Sequence, residues 1–123
     1  MACVTSQGSP YQRFRRALAT GNPLLAWAAC AELPRVELHD ALALVLLLGH
    51  AGDANFHRAR SRWVAHYAHQ TGCDAIEAEL LGACLTAVAG VRAVQPAARE
   101  TLHALLELHG LDRCIEVLRH HIA

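Results

Sequence analysis

The stretch GCDAIEAELLGACLTAVAG, Gly72 to Gly90, decides the fold. It opens on glycine, the residue that most readily takes the left-handed conformation in which helices end. Asp74 stands two residues on, and its side chain can accept from the free N–H groups of a first helical turn. Proline is then absent until past Gly90, and alanine and leucine, the best helix formers, make up eight of the fifteen residues from Ala75 to Ala89. The segment reads as one helix, Ala75 to Ala89, marked at both ends.

The same punctuation recurs in both directions. Upstream, Asp53 should cap a helix from Ala54 to Gln70 that Gly72 closes, and another should run from Leu38 to about His50. Asn22-Pro23 pairs a capping side chain with proline at the first helical position, starting a helix that reaches Leu33 and stops before Pro34. Tyr11 to Ala19 precedes it, closed by Gly21. Downstream, a helix should start near Pro96 and close at Gly110, and Asp112 opens the last. Residues 1–9 are expected to be a flexible tail. Residues 10–123 read as a single all-α domain of six or seven short helices, in an orthogonal bundle or a short stack of helical hairpins. His109 to Leu118 resembles the second half of many helical-repeat units, but no second copy aligns with it.

Apolar spacing assigns the faces. Phe56, Ala59, Trp63 and Tyr67 form one stripe at helical period, with Arg58, Arg62 and His69 opposite. Ala41 to Leu48 is apolar all round, so that helix should be central. Ile76, Leu80, Ala83, Cys84, Ala87 and Val88 are expected to make the next long helix nearly as buried. Leu102, Leu105 and Leu106, then Ile115, Leu118 and Ile122, supply one packing face each to the last pair.

Formal charge is zero and 54% of the residues are hydrophobic. Residues 1–70 hold seven arginines and four acids, while residues 71–123 hold four arginines and seven acids. The simplest reading is that the halves neutralise each other within one fold. All basic residues are arginine and alanine is abundant, as in a GC-rich bacterial coding sequence. The first residues lack a signal-peptide layout. The longest apolar run, Ala41 to Gly49, falls well short of the roughly 20 residues a membrane span needs. Five scattered cysteines without a C-x-x-C pair fit a cytoplasmic chain with reduced thiols and no membrane partner.

Chemistry-bearing patterns are sparse. His66, His69 and Cys73 would converge only on an unbroken helix, and Gly72 interrupts it; no fourth zinc ligand lies nearby. Glu77 and Glu79 are two residues apart and point to different sides of their helix. No nucleophile elbow, phosphate-binding glycine loop or His-Glu-x-x-His is present. The chain is therefore expected to be no enzyme and to carry no cofactor or metal.

Two clusters interleave arginine with aromatics: Arg13, Arg15 and Arg16 around Phe14, and Arg58, Arg60 and Arg62 before Trp63. They are the candidate contacts for an anion or a nucleic acid. The apolar surplus around Leu46, Leu47 and Leu48 offers a different surface, with at least one leucine free to meet a second protein or a second copy of the chain. The leading functional reading is a non-enzymatic helical protein-interaction module of a bacterial cytosolic protein. An accessory nucleic-acid-binding protein that uses the two arginine clusters is the alternative.

Overall fold

A computed structural model describes residues 9–90 and 92–121. The expected tail, residues 1–9, lies outside the described residues except for Ser9, and Ile122 lies outside them as well. The described residues form seven α-helices and no strand: α1 Pro10–Thr20, α2 Pro23–Ala31, α3 Leu38–Ala51, α4 Phe56–Thr71, α5 Ala75–Ala89, α6 Gln95–Leu108 and α7 Asp112–His120. A short 3-10 turn, Arg92–Val94, leads into α6.

Local chemistry accounts for most helix ends. Ser9 belongs to α1, because its hydroxyl accepts from the Gln12 N–H while the Gln12 side chain accepts from the Ser9 N–H. Asn22 caps α2 by accepting from the Leu25 N–H, and Asp74 caps α5 by accepting from the Glu77 N–H at 2.8 Å. Two boundaries differ from the sequence expectation by two residues. Helix α2 ends at Ala31 rather than Leu33, since a residue directly before proline is pushed out of the helical region. Asp53 spends its carboxylate on the Asn55 N–H, two residues on, and the turn that results delays α4 to Phe56.

Helix α3 is the hub, packing against α1, α2, α4, α5 and α7. In a stack of hairpins each unit would meet only its sequence neighbours; the α3–α7 contact closes the chain into a bundle instead. Leu42, Val45 and Leu48 of α3 are fully buried with Trp63 and Tyr67 of α4, Leu81, Leu85 and Val88 of α5, and Leu102 and Leu106 of α6. Gly49 permits the tightest approach. A Cβ at this position would stand 2.6 Å from the Ala89 Cβ and 2.9 Å from the Phe56 ring.

Two further expectations are corrected. Helix α5 is half buried: Leu81, Cys84, Leu85 and Val88 face inward, while Ile76 is 78% exposed and Leu80 and Ala83 are also outside. Helix α5 packs chiefly on α4 and α6 and more lightly on α3, which leaves its far side uncovered. Nor do the arginine–carboxylate pairs found among the described residues join the two halves of the chain. Among the described residues the arginine pairs Arg13–Glu32, Arg15–Asp40, Arg35–Glu37 and Arg119–Glu116 each stay within one half.

Candidate functional site

Three stripes of side chains at helical spacing meet over α3. On α3 itself they are His39, Ala43, Leu46, Leu47 and His50; on α1, Tyr11, Arg15, Leu18 and Ala19; on α7, Arg113, Glu116, Val117 and His120. Each set repeats every three or four residues, so each forms one face of its helix. Helices α1 and α7 do not pack against each other. The space between them is a groove of about 720 Å³, floored by Ala43, Leu46 and Leu47 and walled by Leu18 and Val117. His50 lies eleven positions after His39, so the floor extends about 16 Å at 1.5 Å per residue.

The groove has two unlike ends. At the first, Asp40 is a carboxylate with 1% of its surface exposed. Its Oδ1 accepts a hydrogen bond from the Tyr11 hydroxyl at 3.3 Å and lies 3.5 Å from both Arg15 Nη1 and His39 Nε2. One buried oxygen thus holds three side chains that line the groove. Burial raises the Tyr11 pKa, the Asp40 charge adds to the rise, and Arg15 and Arg113 oppose it. Arg113 opens α7 as Tyr11 opens α1 and His39 opens α3, so three helix N-termini, each with its partial positive charge, stand at this end.

Histidines dominate the second end. The His50 ring meets the His121 ring edge-on, with centroids 6.0 Å apart. His120 lies with Nδ1 2.8 Å from the Glu116 carbonyl one turn back, which the Nδ1–H tautomer donates to. Arg99 Nη2 donates to the carbonyls of Leu118 and His121 at 2.6 and 2.7 Å, satisfying groups that the end of α7 leaves open. Burial lowers the His121 pKa, and the positive charges of Arg99 and His50 lower it further.

The arginines singled out in the sequence sit elsewhere for the most part. Arg13 pairs with Glu32 at 3.1 Å, Arg60 donates to the Thr86 hydroxyl, and the Arg62 guanidinium lies over the Trp27 ring, 5.9 Å from its centroid. Arg16 and Arg58 are exposed. Of the six, Arg15 alone lines the groove. The clusters ride on α1 and α4, which do not pack against each other, so the fold does not merge them. Trp63 is 1% exposed and belongs to the core. Of the three leucines, Leu46 and Leu48 are buried and Leu47 is partly open to the groove.

Asp40, His39 and Arg113 were not singled out by sequence reasoning. The apolar run Ala41 to Leu48 concealed which side of α3 stayed uncovered.

A second polar cluster joins α4, α5 and the end of α6. The Tyr67 hydroxyl donates to Glu77 Oε2 at 2.7 Å, and His109 Nε2 reaches the same oxygen at 2.8 Å. None of its members lines the groove. Helix α4 ends at Thr71 with Gly72 in the left-handed region, so Cys73 lies beyond the helix that carries His66 and His69. Among the described residues no three histidines, cysteines or acids gather as a metal site, and Cys30, Cys73, Cys84 and Cys114 are free thiols. No described helix is long and apolar enough to cross a membrane. No protein-family model matches the chain, and no curated protein or solved structure matches it either.

Proposed function

We propose that this chain is a non-enzymatic, helical protein-interaction module that receives an amphipathic helix of another protein, with acidic flanks, in the groove between α1 and α7. The observation that carries the reading is the groove's composition: an apolar floor of Ala43, Leu46 and Leu47 between rims that present Arg15 and Arg113. A helix laid in such a groove buries its leucines at i, i+3, i+4 and i+7 against the floor. Its acidic flanks meet the two arginines and the N-terminal ends of three helices, and complementary charge of this kind sets orientation and partner choice more than raw affinity. Asp40 prearranges Tyr11, Arg15 and His39 before the partner arrives, which lowers the cost of ordering them on binding. A bacterial cytoplasm is part of the same reading, supported by four free thiols that a reducing compartment preserves.

The test is selection of binders from a random peptide library, followed by affinity measurement against the wild type and the Leu47→Glu and Val117→Glu variants, both checked for helix content. The expected peptides are acidic and amphipathic, and either variant weakens them by tenfold or more. Peptides that bind both variants as well as the wild type place the partner surface elsewhere and refute the reading. Recovery of no peptide, beside salt-sensitive binding of a single-stranded oligonucleotide lost on substituting Arg16 and Arg58, would install the arginine clusters as the site.

A further inference from the structure

Four of the nine histidines line the one groove, and they are spread over both of its ends. His39 stands at the Asp40 end, and His50, His120 and His121 stand at the other. We propose that these four histidines make the groove a proton-dependent receptor, which holds an acidic amphipathic helix more tightly as pH falls from about 7.5 to 5.5. The inference rests on the groove being the partner site.

The charges that face the histidines come from every helix around the groove. Helix α1 contributes Arg15 and the Tyr11 hydroxyl; α3 contributes Asp40; α7 contributes Arg113 and Glu116; and Arg99 of α6 stands behind His121. Asp40 is withdrawn beneath the surface and already serves Arg15, Tyr11 and His39. Glu116 is shared between Arg119 at 3.3 Å and His120 at 3.6 Å. Neither carboxylate is left to neutralise a protonated His50 or His121, which face each other edge-on with Arg99 close by. Protonation of His50 or His121 therefore adds positive charge that neither of these carboxylates offsets among the described residues, and an acidic occupant supplies what is missing. Histidine is the side chain whose ordinary titration falls in this range.

The probe is a fluorescein-labelled synthetic helical peptide with leucines at i, i+3, i+4 and i+7 and glutamates between them, whose carboxylates stay ionised over this range. Its affinity is measured at pH 7.5 and 5.5 for the wild type, for Leu47→Glu, and for the combined variant His39→Gln, His50→Gln, His120→Gln and His121→Gln. The wild type should bind about tenfold more tightly at pH 5.5, as a few added ion pairs at a partly open surface imply. The fourfold variant should match the wild type at pH 7.5 and lose the gain at 5.5. If that variant is misfolded, His50→Gln and His120→Gln, both at exposed positions, should each remove part of the gain. Equal affinity at both pH values, lost in Leu47→Glu, overturns the proton dependence and leaves the groove reading intact. A gain that survives the histidine substitutions overturns it as well. Absence of binding at either pH removes the groove reading and this inference with it.

Discussion

Trp63 donates its indole N–H to the Leu38 carbonyl at 2.9 Å, tying the core stripe of α4 to the first turn of α3. The ring is 1% exposed and packs against Tyr67, with centroids 5.3 Å apart. Since α3 also floors the groove, this bond helps hold the site in place. Trp63→Ala should cost about 3–5 kcal/mol, the range for truncating a large core aromatic. Trp63→Phe should cost less because most of the volume stays. Urea denaturation midpoints give both values, and an unchanged midpoint for Trp63→Ala would contradict the packing.

Gly49 sets how closely the end of α3 approaches α5 and Phe56. A single methyl group there collides with the Ala89 Cβ and the Phe56 ring. Gly49→Ala should therefore destabilise the fold by about 1–3 kcal/mol, the usual cost of overpacking, despite alanine's higher helix propensity. Thermal unfolding decides it. A rise in melting temperature would show that the helices separate freely.

Tyr67, Glu77 and His109 should act as a unit, because two partners share one carboxylate oxygen. A double-mutant cycle of Tyr67→Phe and Glu77→Gln should return a coupling of about 1–3 kcal/mol, and zero coupling would dissolve the network. The same arrangement has an alkaline consequence. Burial, then the hydrogen bond to Glu77 and its charge, push the Tyr67 pKa well above its ordinary value. The folded chain keeps the phenol protonated where the unfolded chain, above about pH 10, loses the proton. Stability from Tyr67 is present below that pH and lost above it. Tyr67→Phe should flatten the decline in stability measured between pH 9.5 and 11.

Cys114 is 2% exposed, and burial pushes its thiol up to about 12; burial raises Cys84 as well. A thiolate is the reacting species, so both should resist a maleimide at pH 7 until the chain unfolds. Peptide mapping after brief labelling reads this directly. Early modification at Cys114 would mean that α7 opens from the bundle.

His121 imposes an acid limit. Its pKa lies below the ordinary value because burial, then Arg99 and His50, oppose its charge. The unfolded chain takes up this proton near about pH 6.5 and the folded chain only at lower pH, so the unfolded state binds more protons in between. The contribution is present above about pH 6.5 and is lost as pH falls through the folded value. His121→Leu should reduce the fall in melting temperature between pH 7 and 5, and an unchanged slope would assign that fall to other groups.

The helices themselves were legible in the sequence because capping and termination act within four residues. Asp74 and its Glu77 N–H partner, or Asn22 and Leu25, settle their helix ends with no reference to the rest of the chain. The Trp63–Tyr67 stripe was legible for a related reason: charged residues on the opposite side of α4 set its phase. Where apolar residues surround a helix, the phase disappears. Helix α5 carries Ile76 and Leu80 on an uncovered side, and only the positions of α4 and α6 determine that. The groove is the same kind of feature. His39 and His50 of α3, Tyr11 and Arg15 of α1, and His120 of α7 lie far apart along the chain, and their meeting depends on α1 and α7 flanking α3 without touching. Local chemistry determined where most of the helices begin or end. Which faces remain open, and which side chains share them, was decided by tertiary packing, because burial depends on neighbours that the local sequence does not specify.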